Sequence, residues 1–188
     1  TKDSSATIEL TLKSLAQQTL KDFEVVVVDK ASLDTTLNLV IRYFPDAKII
    51  QQESSGIWDA INVGIANASG NIVHILNSDD FISPKVLEVV SLFFANNKKL
   101  SAVWIPTYSG GGYLDELCCG KTWLGMHKLA PGHSASFFVD KEIHSDLGLY
   151  NTDTKYCADH ELYWKIIRSK KAVAILKIKT DFGVFTHG

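Results

Sequence analysis

The chain has 188 residues, 46% of them hydrophobic and 21% charged, a globular composition that excludes disordered and collagen-like classes and suits one domain. Its 19 Lys and Arg against 21 Asp and Glu leave a formal net charge of −2, which excludes phosphate-backbone binding as the main role because that needs a concentrated basic field. Three cysteines, two of them adjacent at Cys118 and Cys119, form no disulfide framework and point to a reduced, cytoplasmic setting, and no apolar run reaches the roughly 18–20 residues of a membrane span.

Ala6, Ile8, Leu10, Leu12, Leu15 and Ala16 predict a first helix behind a Ser4 or Ser5 cap. The β-branched run from Phe23 to Asp29 predicts a strand buried on both faces. Asp34 or Thr35 then caps a helix carrying Leu37, Val40, Ile41 and Phe44, and Lys48 to Gln51 form a short strand. After Ser54-Ser55-Gly56 comes an amphipathic helix with Ile57, Ile61 and Ile65 on one side, and Ile72 to Leu76 give a third strand. Pro84 opens a helix through Val86, Leu87, Val90, Phe93 and Phe94.

The second half is less regular. Ala102 to Pro106 predict a strand, Tyr108 to Tyr113 a turn or hairpin tip, and Ser134 to Val139 another strand before a short helical turn at Asp140. A helix spans Ala158 to Ser169, and Val173 to Leu176 form a late strand, while Leu114 to Pro131 carry no assignable pattern. Alternating strand–helix units predict an α/β fold with a mostly parallel sheet and helices on both faces, whose ligand crevice lies at the carboxyl ends of the strands. Those ends are acidic: Asp29 with its following turn, and Asn77-Ser78-Asp79-Asp80.

Adjacent carboxylates behind a buried strand need solvent, a partner or a cation. Mg²⁺ and Mn²⁺ use one or two carboxylates plus substrate phosphate oxygens, so this pair suits a metal–diphosphate. Asp79, Asp80 or Ser83 would equally serve as a cap for the helix opened by Pro84. Asp159 and Glu161 stand in the first turn of a helix, where negative charge is favoured on helix-dipole grounds alone; the functional alternative is a general base. His133 and His187, each taken singly, read as structural or solvated. The six histidines lack metal spacing, and neither a P-loop nor a Gly-x-Ser-x-Gly elbow is present.

Several segments together resemble family 2 glycosyltransferases of the GT-A fold. They are Ser14-Leu15-Ala16-Gln17-Gln18-Thr19, Phe23 to Thr36, Ser55-Gly56-Ile57-Trp58-Asp59-Ala60-Ile61-Asn62-Val63-Gly64-Ile65-Ala66 with Ala68-Ser69-Gly70, and Leu76-Asn77-Ser78-Asp79-Asp80 in the place of the DxD motif. The third is similar to a segment of transferases that build bacterial surface polysaccharides. Pro131 to Phe138 and the Asp159-x-Glu161-Leu162 pattern extend the likeness loosely into the second half.

The resemblance implies one GT-A domain over 1–188, with the first strand largely missing, a nucleotide-sugar half at 1–100 and an acceptor half at 101–188. It implies nucleotide contacts from Thr1, Asp29, Asn62, Asn77 and Ser78, and Mg²⁺ or Mn²⁺ on Asp79 and Asp80. His187 falls by position where some such enzymes place a late metal ligand. Asp159 matches the carboxylate that deprotonates the acceptor. The implied partners are a nucleotide-sugar donor, with UDP as the expected nucleotide, and a glycan or lipid-linked acceptor. The implied place is the cytoplasm, with peripheral association at the inner membrane face. Departures from the pattern are Lys30 for a second acid, Asn77 for the first Asp of the DxD, and Ala158 for a Glu. An inactive sugar-nucleotide-binding domain and a sugar nucleotidyltransferase are the alternatives.

Overall fold

The computed structural model describes residues 1–53, 56–105, 107–109, 112–113, 133–154, 158–175 and 183–186. The unassigned stretch 114–131, the glycines at 110 and 111 of the expected hairpin tip, Cys118, Cys119 and His187 lie outside the described residues.

The elements follow the predicted order: α1 (Ile8–Ala16), β1 (Val26–Asp29), α2 (Thr36–Tyr43), β2 (Lys48–Gln51), α3 (Ile57–Asn67), β3 (Ile72–His74), β4 (Phe81–Ile82) and α4 (Val86–Asn96). Next come β5 (Leu100–Trp104), β6 (Thr107–Ser109), β7 (Gly112–Tyr113), a 3₁₀ turn (Ser134–Ser136) and β8 (Phe137–Asp140). The chain then forms α5 (Glu142–Leu147), α6 (Ala158–Arg168), β9 (Ala172–Ile175) and β10 (Val184–Thr186). β10 carries no signal in the sequence long enough to predict it.

The architecture is α/β, as expected, but the pairing is mixed. β1–β2, β5–β9 and β6–β10 run parallel. β8 is antiparallel to both β3 and β5, which it separates, and β10 pairs antiparallel with β4. The sheets are β1-β2, β3-β8-β5-β9 and β4-β10-β6-β7.

Alternation along two strands explains why the middle of the second sheet is apolar on both faces. Ala102 and Trp104 of β5, with Phe137 and Val139 of β8, face a core shared with α3, α5 and α6. Val103 and Phe138 point the other way, into a core with Ile82, Val86, Val90 and Val184. A sheet covered on both faces needs continuous hydrophobic runs, and the period of two sorts them. A third cluster, Ile8, Leu12, Val27 and Val40, fixes α1 and α2 on β1.

The three isoleucines expected on one side of α3 diverge: Ile65 is buried, whereas Ile57 is 58% exposed. Each i,i+4 step advances about 40° around a helix, so the ends of such a stripe part company. Trp58 takes the inward place in the first turn instead, packing against the α3–α5–α6 core.

Glu24 ties the start of β1 to its neighbours. It accepts hydrogen bonds from Lys48 Nζ (2.7 Å), from the Gly70 amide (2.7 Å) and from the Ser69 amide. The Lys48 bond, acting against burial, is the main reason its carboxyl is lowered to about 2. A depressed acid stabilises the fold above its unfolded pKa, and that stabilisation is lost as pH falls from about 4.5 towards 2. Glu24 is solvent-facing, so about 0.5–1 kcal/mol is involved after screening. Glu24→Gln is expected to lower Tm by roughly 1–4 °C at pH 7 and by less at pH 3, a difference that calorimetry at both pH values checks.

Candidate functional site: two acidic strand ends and a helix-start carboxylate

Segment 1–5 builds the site by bridging two loops. Thr1 sits beside β1 like a parallel strand residue: its nitrogen donates to the Val28 carbonyl (2.6 Å), and its own carbonyl accepts from the Lys30 amide (2.9 Å). Its hydroxyl donates to Asp29 Oδ1 (2.8 Å). Asp29 is fully buried and also accepts from the Ser32 hydroxyl (2.5 Å) and the Ser32 amide (2.9 Å). Burial pushes its pKa up, but these hydrogen bonds outweigh burial and hold it below the ordinary value.

Ala31 accomplishes this return with φ 50°, in the left-handed region that costs an L-residue roughly 1–2 kcal/mol. The Asp3 amide reaches Ser32 Oγ, the Ser4 amide reaches Thr36 Oγ1 and the Ser5 amide reaches Asp34 Oδ2, at 2.7–2.9 Å. The helix start at 34–36 is thus pinned to segment 1–5. The Ser4 or Ser5 cap expected for α1 does not form: the cap position is Thr7, without a side-chain bond. Ser4 Oγ is bonded to the Lys2 carbonyl and to Ser78 Oγ instead.

The second loop meets the same segment. Ser78 Oγ donates to Ser4 Oγ (3.1 Å). Asn77 Nδ2 donates to Asp80 Oδ2 (2.8 Å), and the Asp80 amide closes the turn on the Asn77 carbonyl (3.2 Å). Asp80 is only 2% exposed, and His133 Nδ1 lies 3.6 Å from its Oδ2. Burial pushes the Asp80 carboxyl up; His133 opposes this and Asp79 adds to it. Of the adjacent carboxylates, Asp80 therefore points inward. Asp79 is half-buried and holds no hydrogen bond or ion pair among the described residues.

His74 supports this arrangement from beneath. Its Nε2 donates to the Ala135 carbonyl (2.6 Å), and its ring stacks on Phe138 at 3.9 Å. The Ala135 amide in turn donates to His133 Nδ1 (3.2 Å). Burial depresses His74 to about 4 despite the Ala135 bond, so its ring is neutral at pH 7. Below pH 6.5 the unfolded chain gains a proton that the folded one does not, so stability falls as pH drops from 6.5 to about 4. His74→Gln is expected to flatten the Tm profile across that window, which scanning calorimetry at closely spaced pH values checks.

Asp159 and Asn62 belong to a second group, centred on Tyr150. Asp159 is half-buried at the start of α6, where its Oδ1 accepts from the His160 amide (2.9 Å). Burial first, and Asp159's charge second, raises the pKa of Tyr150; burial, Tyr150 and Asp159 do the same to Tyr163. Glu161, the other acid of this turn, is held ionised by Lys165 (2.8 Å) and Asn151 (3.2 Å). Of these two acids, Asp159 is the one with an oxygen that accepts no hydrogen bond among the described residues. Asn62, expected on the nucleotide, has both ends of its amide on the Tyr150 main chain.

A divalent cation fits this donor set on one carboxylate. Among the described residues no three His, Cys, Asp or Glu side chains converge as a closed cage. Mg²⁺ and Mn²⁺ need none, because they take one or two carboxylates and complete their shell with phosphate and water oxygens. Asp79 is the oxygen donor available for that.

Two contacts escaped the sequence reading: His133 on Asp80, and the Trp58–Tyr150–Tyr163 aromatic group around Asp159. His133 lies within a segment that resembles the family, yet no spacing rule links it to Asp80.

The fold defines a class. Over its whole length the chain superposes on S. aureus TarS in complex with UDP-GlcNAc, with a TM-score of 0.82 at 24% identity, covering 56% of that chain. It also superposes over 93% of its length on M. tuberculosis glucosyl-3-phosphoglycerate synthase in complex with Mn²⁺, UDP and glucosyl-3-phosphoglycerate, with a TM-score of 0.71 at 18% identity, covering 66% of that chain. Both are GT-A transferases, and the chain has the GT-A fold. The model of glycosyl transferase family 2 matches residues 1–139, and the chain belongs to that family. Chondroitin synthase of Pasteurella multocida (strain Pm70) is 24% identical over 179 residues, 91% of this chain, which spans 18% of that synthase's length. No helix among the described residues is long and apolar enough to cross a membrane.

Proposed function

We propose that the chain transfers a sugar, with inversion, from a UDP-sugar to an acceptor hydroxyl of a growing or lipid-linked glycan. The observation that carries this reading is the assembly of both acidic strand ends on segment 1–5, with Asp79 of the second end unpartnered among the described residues. The family and the UDP-GlcNAc complex of TarS support it. We place the reaction in the cytoplasm, at the membrane face where such an acceptor would be met.

Asp159 takes the proton of the acceptor hydroxyl as its oxygen bonds to the anomeric carbon, and the bond from that carbon to the diphosphate breaks on the opposite face. General-base help of this kind contributes a factor of about 10²–10⁴. Thr1 and the turn shaped by Asp29 hold the nucleotide. Asp29 acts chiefly through that turn, since its carboxylate is buried and already accepts three hydrogen bonds. Ser78 and Asn77 complete the floor. Asp79 would hold Mg²⁺ or Mn²⁺, which supplies charge neutralisation on the departing diphosphate. Asp80 and His133 brace Asp79 from behind, and His187 is proposed as a late contact to the same group.

Calorimetric titration of UDP with and without Mn²⁺ tests the donor site. Metal-dependent binding is the expected result. Silence towards UDP and GDP under both conditions overturns the reading.

A further inference from the structure

Asn62 lies on α3, in the half of the chain that carries both strand-end loops, yet it grips a residue 88 positions away. Its Nδ2 donates to the Tyr150 carbonyl (2.8 Å), and its Oδ1 accepts from the Tyr150 amide (2.9 Å). This bidentate pairing uses both polar ends of the side chain, as a neighbouring strand would. One helical turn earlier on the same face, the Trp58 ring stacks on the Tyr150 ring at 5.5 Å and 12°. Tyr150 is 4% exposed, so α3 fixes it by main chain and by ring together.

The connection continues towards Asp159. Asn151, next in the chain, donates to Glu161 Oε2 (3.2 Å) and accepts from the Asp153 amide (3.0 Å). Ala158, Leu162 and Tyr163 of α6 share the core cluster of Tyr150, with Trp58 packed against it. The first turn of α6, which bears Asp159, is therefore located by what α3 holds.

We propose that Asn62, Trp58 and Tyr150 form a clamp that registers Asp159 against the nucleotide-binding half, making Asn62 and Trp58 positioning residues for transfer rather than nucleotide contacts. The inference rests on the assignment of Asp159 as the base. Bonds to both the N–H and the C=O of Tyr150 leave little freedom to slide, and displacement of a reacting group by about 1 Å costs on the order of 10²-fold in rate.

The test uses UDP release from UDP-GlcNAc, UDP-glucose and UDP-galactose in the presence of Mn²⁺, with water as acceptor, alongside UDP calorimetry. Asn62→Asp keeps an acceptor for the Tyr150 amide but sets a carboxylate against the Tyr150 carbonyl. It is expected to lower kcat by roughly 10–100-fold while donor KM and UDP affinity stay within about twofold of wild type. Trp58→Leu gives the same split more weakly, and Trp58→Phe, which keeps a ring to stack, restores most of the rate.

UDP affinity that falls in step with the rate overturns the clamp, as does an unchanged kcat in Asn62→Asp. Should Asn62→Asp lose its cooperative thermal transition, the Trp58 pair decides by the same criteria. Asp159→Asn runs in parallel: full turnover there, or none by the wild type on any donor, overturns the base or transferase reading itself. Either result is distinguishable because it appears without a change at Asn62.

Discussion

Asp159→Asn is expected to reduce turnover of the UDP-sugar by about 10²–10⁴ and to leave UDP affinity unchanged. The substitution preserves shape. An asparagine Oδ1 still accepts from the His160 amide, as the carboxylate does at 2.9 Å, so the start of α6 keeps its local bond. What disappears is the ability to take a proton. Glu161 cannot replace it, because Lys165 and Asn151 already occupy its carboxylate. Initial rates of UDP release with Mn²⁺, paired with calorimetry, check this. A rate within tenfold of wild type, short of the roughly 10²-fold lower edge for general-base help, would remove Asp159 from the mechanism.

Asp79→Ala is expected to fail differently, losing both turnover and the Mn²⁺-dependent part of UDP binding. Charge stabilisation of a leaving diphosphate is worth several kcal/mol, so a fall on the order of 10³ or more in rate follows. Asp80→Asn provides the contrast. Asp80 is buried and turned onto Asn77 and His133, and its carboxyl is pushed up by burial. Its amide analogue is expected to retain Mn²⁺-dependent UDP binding. Loss of that binding in Asp80→Asn, with Asp79→Ala unaffected, would reverse the roles of the two acids.

Much of the fold was legible because it depends on neighbours along the chain. The apolar run before Asp29, the helix carrying Leu37, Val40 and Ile41 and the amphipathic stretch after Gly56 each became an element near the expected place. Where the sequence reading erred, packing had decided. The run from Phe23 forms a strand only from Val26, and its burial alternates rather than being continuous. The expected strand at 134–139 opens with a 3₁₀ turn, because His133 caps that turn through Nδ1. β8 then runs antiparallel between β3 and β5, which no local pattern specifies.

The site divides in the same way. The acidic strand ends, the helix-start acids and the family likeness follow from the sequence by itself, since strand-end turns and helix starts are set by residues a few positions apart. Only the tertiary structure decided which of those acids are free. Asp29 is enclosed by Thr1 and Ser32, Asp80 by Asn77 and His133, and Glu161 by Lys165, leaving Asp79 and Asp159 open among the described residues. It also moved Asn62 from the nucleotide to Tyr150, 88 residues on. Pairings over such separations depend on how sheets and helices pack, and chemical type alone does not determine which of several acids or amides meets a partner.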